Sequence, residues 1–282
     1  MVRTNFRICR FKIEQNCLQM SAIINNTFKN NLFFGKTFII AGGSSGIGSA
    51  LAKHISELNG SLVLIGRDKK RLENVCNGLK KKNNQYHYIY DCDLGNFMKT
   101  YDLFLNIKKN HSKVDGLVWL AGSELIKQTA LIDSNDIEKI FNVTVNGLMG
   151  SAKAICSKNY WPDTGGSVVL ASSVSSIRSS PGMLLYSAAK SAMSGATKSL
   201  SLELSKNKVR VNNIILGAVE TEMHDRITKY YNQESINRYK DKHLFGFGKK
   251  EDVSGLIIYL LSDSSRWMTG SNIVFDGGLM VN

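Results

Sequence analysis

The sequence predicts an α/β domain, a parallel sheet with helices covering both of its faces. Three observations predict it. From Lys36 onward, short apolar runs of strand length alternate with longer stretches whose apolar residues recur every three or four positions. The short runs are apolar throughout, the pattern of strands buried on both faces. Between the first run and the first helical stripe lies "AGGSSGIG" (41–48), a glycine-rich junction. Strands alternating with helices of this length imply βαβ units.

The elements follow in order. "KTFIIA" (36–41) is a strand, and Ile47, Ala50, Leu51, His54, Ile55 and Leu58 then form a helical stripe. "SLVLIG" (61–66) is the second strand, followed by a polar helix over 68–82. "YHYIYD" (86–91) is the third strand and "GLVWLAG" (116–122) the fourth, with a helix between them. A long helix covers about 134–158, and "GSVVLASS" (166–173) is the fifth strand. A helix over 184–205 precedes the sixth strand, "VRVNNI" (209–214), and "SNIVFD" (271–276) is the last. Residues 218–250 are long, polar and aromatic and carry no strand signal, which marks them as a lid over a binding site.

The totals bound the function. At 282 residues the chain buries one core, and 43% hydrophobic with 21% charged residues is the composition of a soluble globular protein. The longest apolar runs, such as "GLIIYLL" (255–261), fall short of the roughly 18 residues of a membrane span. Five cysteines without a C-x-x-C pair point to free thiols in a reducing, cytoplasmic setting, and to no metal site. The net charge of +13 comes from scattered lysines, with no dense basic block and no nucleic-acid motif, so nucleic acid is not an expected partner. Residues 1–34 read as an N-terminal extension, disordered or produced by a mis-assigned start. "MVRTNFRICRFK" is basic like a targeting segment, while Met20 begins a sensible domain start. The domain is expected over 35–282.

Between a buried strand and a helix, glycines allow a sharp turn and a close backbone approach to a ligand, and the helix offers free N–H groups to a pyrophosphate. A tight structural turn is the alternative, because the spacing is not the dinucleotide fingerprint G-x-G-x-x-G. At the end of the second strand, where dinucleotide folds place an acid for NAD, Gly66 stands next to Arg67. An arginine there favours the 2′-phosphate of NADP(H) over NAD(H). Asp68 dissents, though it suits the N-cap of the next helix. In "YSAAK", Tyr186 and Lys190 share a helix face, thirteen residues after Ser173. A lysine charge about 5 Å away would lower the tyrosine pKa by about two units, toward acid–base use. Ser173 could donate to a carbonyl oxygen as charge develops on it. The bland alternative makes Tyr186 an ordinary helix residue.

Together these residues resemble the short-chain dehydrogenase/reductase family, over essentially the whole chain from Lys36. The family's T-G-x-x-x-G-x-G matches Ala41–Gly48 with alanine for threonine. Its Asn-Ser-Tyr-Lys tetrad falls on Asn146, Ser173, Tyr186 and Lys190, its P-G-x-x-x-T on Leu216–Thr221, and its D-G-G on Asp276–Gly278. The family's N-A-G reads "LAG", with Leu120 for asparagine. The resemblance implies a three-layer, doubly wound Rossmann fold of about seven parallel strands, a single domain assembled as a homotetramer or homodimer. It implies that Gly42, Ser44, Ser45, Gly46, Ile47, Gly48, Arg67, Asp93, Leu94, Ala121, Gly122, Gly217, Val219 and Thr221 hold the cofactor with Tyr186 and Lys190. It implies that Tyr186 protonates a carbonyl, Lys190 holds the ribose, Ser173 positions substrate and Asn146 holds a relay water, with no metal. The expected substrate is a small carbonyl or alcohol, carrier- or nucleotide-linked: a 3-oxoacyl thioester, as for 3-oxoacyl carrier-protein reductases, or a polysaccharide-pathway sugar. Met223, Tyr230, Tyr231, Tyr239, Phe245 and Phe247 would give the lid its apolar contacts, with Arg226, Lys229, Arg238, Lys240 and Lys242 among them. A catalytically silent NADPH-binding scaffold or regulator is the alternative.

Overall fold

The computed structural model describes residues 27–282 apart from Asn83, Ser112, Lys113 and Tyr230. The strands in chain order are β1 (Thr37–Ala41), β2 (Ser61–Gly66), β3 (His87–Asp91), β4 (Gly116–Trp119), β5 (Gly166–Ser173), β6 (Val209–Leu216), β7 (Val219–Glu220), β8 (Gly248–Lys249) and β9 (Asn272–Phe275). The helices are α1 (Gly46–Glu57), α2 (Lys69–Asn77), α3 (Phe97–Asn110), α4 (Ser134–Phe141), α5 (Gly147–Ile155), α6 (Leu184–Leu204), α7 (Glu222–Thr228), α8 (Gln233–Lys240) and α9 (Lys250–Leu261). Seven strands form one parallel sheet in the order β3-β2-β1-β4-β5-β6-β9. This is the doubly wound Rossmann arrangement in a single domain.

Successive residues of a strand point to opposite faces, and the core divides accordingly. Ile39, Val63, Leu117, Val168 and Val211 pack under α3, α5 and α6 through Phe104, Leu148 and Met193. Phe38, Ile40, Leu62, Val118 and Ile214 pack on the other face under α1 and α9 through Leu51, Ile55 and Ile257. With both faces covered, no strand of the sheet centre can alternate polar and apolar residues, hence the continuous runs.

Four expectations change. The described part of the expected extension, residues 27–34, is anchored: Phe33 is fully buried, meets the Phe38 ring edge-on at 4.6 Å, and its N–H donates to the Leu58 carbonyl at 3.0 Å. Burying such a side chain contributes about 2 kcal/mol, so Phe33 is tied to the fold, although most of 27–34 is exposed. Residues 1–26 lie outside the described residues. The expected helix over 134–158 is broken by a π-helical segment, Asn142–Asn146, and ends at Ile155. The lid does contain strands, because β7 and β8 pair in parallel and hold its two ends together beside α7 and α8. The fourth strand stops at Trp119, where the backbone of Leu120 and Ala121 turns across Gly42.

Candidate active site

The order of the sheet reverses between β1 and β4, and beyond their C-terminal ends lies a cleft of about 1340 Å³. That exceeds the roughly 300–1,000 Å³ typical of a small-molecule site, leaving room for a dinucleotide and a second molecule.

One wall is the glycine junction. Gly42 has a φ of +92°, which L side chains rarely adopt, and its N–H donates to the Ile65 carbonyl at 2.9 Å. A Cβ on Gly48 would sit 2.1 Å from the Gly42 carbonyl oxygen, so α1 presses directly on the turn. Gly42, Ser44, Ser45, Gly46 and Ile47 line the cleft. The N-cap residue Ser45 makes no capping bond through its side chain, and the first turn of α1 holds no acid. The first-turn amides are therefore open to an anionic ligand. Gly48 does not line the cleft: it serves packing rather than ligand contact. Gly42 and Gly46 thus line the cleft, whereas Gly48 packs against the turn.

At the far rim, Arg67 is exposed and lines the cleft with Asp68 and Arg71. Asp68 caps α2, accepting from the Arg71 backbone N–H at 3.0 Å and pairing with its Nε at 3.3 Å. A Cβ on Gly66 would stand 3.1 Å from Ser44 Oγ, a tight contact with one side chain. Leu94, Ala121, Gly122, Gly217, Val219 and Thr221 line the cleft, and Thr221 also caps α7 by accepting from the His224 N–H at 3.3 Å. Asp93 does not line it. Its exposed carboxylate accepts from the Gly95 N–H at 3.0 Å, while its neighbours Cys92 and Leu94 reach the wall.

Three of the residues expected to be catalytic meet where β5 ends beside α6. Ser173, Tyr186 and Lys190 all line the cleft. Lys190 is buried, its Nζ donates to the Ala171 carbonyl at 2.9 Å, and it stands 5.8 Å from the Tyr186 ring centroid. Burial pulls the Lys190 pKa down to about 8. Burial pushes the Tyr186 phenol up to about 12, a rise offset in part by a hydrogen bond with Ser173 and reinforced by the negative charge of Glu124. The expected activation of Tyr186 by Lys190 is absent here. The ammonium is spent on Ala171 over the ring rather than aimed at the phenol oxygen.

Asn146 is not part of this group. It is exposed, does not line the cleft, and its Nδ2 donates to Asn142 Oδ1 at 2.8 Å. Each π turn adds a residue to the helical repeat, so a face extrapolated through Asn142–Asn146 is rotated away from its α-helical position. Thr144 faces inward instead. It is 1% exposed and does not itself line the cleft, its Oγ1 has no hydrogen-bond partner among the described residues, and Gly122 has that Oγ1 and Lys190 Nζ on its open side, 3.5 and 3.4 Å from where a Cβ would stand. No periodicity in "NVTVN" could have separated Thr144 from Asn146.

Residues of the segment 218–250 line the other half of the cleft. Met223, Tyr231, Tyr239 and Phe247 line it, whereas Phe245 is 89% exposed and points away; Tyr230 lies outside the described residues. Of the lid cations, Arg226 and Lys242 reach the cleft, while Lys229, Arg238 and Lys240 do not. Arg238 pairs with Glu234 at 2.7 Å and Lys240 stands over the Phe247 ring. Across the cleft, Glu124 on the loop after β4 pairs with Arg226 on α7 at 2.8 Å. Neither Glu124, on a loop, nor Arg71, in the first turn of α2, carried a sequence signal.

A family model described as enoyl-(acyl carrier protein) reductase matches residues 41–280. The chain is 28% identical over 251 residues to a 3-oxoacyl-[acyl-carrier-protein] reductase of Rickettsia prowazekii, covering 88% of this chain and 98% of that protein. It is 29% identical over 253 residues to a glucose 1-dehydrogenase of Gluconobacter oxydans, covering 88% and 92%. A solved short-chain type dehydrogenase/reductase from Mycobacterium ulcerans superposes with a TM-score of 0.80 at 28% identity, covering 89% of this chain and 91% of that one.

Proposed function

The chain belongs to the short-chain dehydrogenase/reductase family, oxidoreductases of the CH–OH/C=O class, and from that premise we propose that it is an NADP(H)-dependent carbonyl reductase. The observation that carries the reading is the convergence of Ser173, Tyr186 and Lys190 in the cleft that the glycine junction opens. Bound nicotinamide supplies or accepts a hydride. Ser173 donates a hydrogen bond to the substrate carbonyl, and Tyr186 delivers the proton to its oxygen as charge develops. The Lys190 ammonium has donors beyond the one given to Ala171. These fit a ribose hydroxyl, and a cofactor placed there would bring Tyr186 and Lys190 into one hydrogen-bonded chain. Thr144 Oγ1, buried and unpartnered beside Lys190, extends that polar end of the site.

Arg67 and Arg71 at the rim, with no side chain at Gly66 to repel a phosphate, support NADP(H) over NAD(H). The substrate is a small carbonyl or alcohol, of the 3-oxoacyl or sugar type that the relatives' names describe. A homodimer or homotetramer belongs to the same reading, with Leu202 and Trp267 as exposed apolar surface for contact. So does a reducing, cytoplasmic setting, in keeping with the free thiols of Cys76, Cys92 and Cys156. No helix among the described residues is long and apolar enough to cross a membrane.

Calorimetric titration with NADPH and NADH, in wild type and Arg67→Ala, tests the cofactor. Tighter NADPH binding that weakens about tenfold in the variant, with NADH unaffected, is expected for loss of a charged hydrogen bond. Equal binding of both would overturn the assignment. Turnover of acetoacetyl against crotonyl thioesters separates carbonyl reduction from the enoyl chemistry in the family description. Binding of NADPH without turnover of any carbonyl would favour a silent scaffold.

A further inference from the structure

The Glu124–Arg226 pair is lopsided. Arg226 Nε and Nη2 both reach the same oxygen, Oε1 of Glu124, at 2.9 and 2.8 Å. Glu124 Oε2 makes no hydrogen bond among the described residues. The carboxylate is the sheltered partner, at 18% side-chain exposure against 58% for the guanidinium, and both side chains line the cleft. Glu124 also lies near enough to Tyr186 for its charge to act on the phenol. A sheltered carboxylate accepts hydrogen bonds and never donates, and one with a spare oxygen gains from a donor brought by a ligand.

We propose that Glu124 determines substrate choice: its free Oε2 accepts a hydrogen bond from a hydroxyl near the substrate carbonyl and repels a carboxylate there. This rests on the carbonyl-reductase reading and narrows it, because it selects a hydroxylated carbonyl compound of the sugar type over an oxo acid. Arg226, on the lid, occupies only Oε1 and offsets part of the Glu124 charge.

Two compounds of one carbon skeleton test the proposal: 1-hydroxy-2-butanone and 2-oxobutanoate. Affinities are measured by calorimetry on the protein with NADP⁺, where no hydride is available, and kcat/KM is measured with NADPH. Wild type should favour the hydroxyketone by about tenfold or more, the worth of one charge-assisted hydrogen bond. Glu124→Gln should lose most of that preference, with weaker hydroxyketone and stronger oxo-acid binding. Arg226→Gln, which frees the lid but keeps the carboxylate, should retain or sharpen it. Parallel changes for both compounds in both variants would make the pair a lid fastening only and overturn the proposal. So would binding of neither compound. Discrimination in binding with no turnover would uphold the role of Glu124 while removing the reductase reading.

Discussion

The ammonium of Lys190 donates to the carbonyl oxygen of Ala171 at 2.9 Å, inside a site that otherwise excludes it from water. A buried charge with one protein partner is costly, which is why its pKa falls from 10.5 to about 8. Below pH 8 both folded and unfolded chains hold this proton, and the folded state bears the full cost. Between pH 8 and 10.5 the unfolded chain keeps the proton while the folded one loses it, so stability rises with pH. Wild type should therefore gain stability relative to Lys190→Met across that window and be the less stable of the two at pH 7. Urea unfolding of both proteins at several pH values checks it, and the difference cancels the opposing ionisation of thiols and phenols. A difference that stays flat from pH 8 to 10.5 would remove Lys190 from this account.

Tyr186 carries its proton at neutral pH and so has one to give, but burial makes it a weaker acid than an ordinary tyrosine. Tyr186→Phe should lower turnover by about 10² to 10⁴, the usual contribution of a positioned acid. NADPH affinity should stay close to wild type, since Lys190 and the glycine junction remain. Steady-state kinetics with calorimetry decides it, and unchanged turnover would take Tyr186 out of the mechanism.

Thr144 and Asn146 offer a direct contrast. Thr144→Val removes a buried hydroxyl beside Lys190 and should lower kcat about tenfold or more while preserving the fold. Asn146→Ala changes an exposed side chain bonded to Asn142 and should leave kcat within about twofold. The opposite ranking would restore Asn146 to the site.

Gly48 and Gly195 form a second contrast. A methyl on Gly48 would overlap the Gly42 carbonyl, so Gly48→Ala should destabilise by at least about 1–3 kcal/mol and weaken NADPH binding through the displaced turn. Gly195, on α6, has nothing within 4 Å of an added Cβ, and Gly195→Ala should stabilise by about 0.5–1 kcal/mol. Denaturant midpoints measure both, and equal effects would mean that the turn is not packed as described.

Most of the fold was legible because buried parallel strands must be apolar throughout, so β2 and β5 could be bounded to the residue. The line from Ser173 to Tyr186 and Lys190 was legible too, since i and i+4 on a regular helix share a face whatever surrounds them. Three things depended on tertiary structure. The π segment set which of Thr144 and Asn146 turns inward, a phase that no α-helical period contains. The burial of Lys190 against Ala171 set the sign of the Lys190 and Tyr186 shifts, because desolvation outweighs a charge that is directed elsewhere. The pairing of Glu124 with Arg226, 102 residues apart, arose only when the lid folded across the cleft. Local pattern therefore determined the elements and the helical face of the reacting pair, while side-chain direction and proton affinity were decided by which distant groups the packed chain brought alongside.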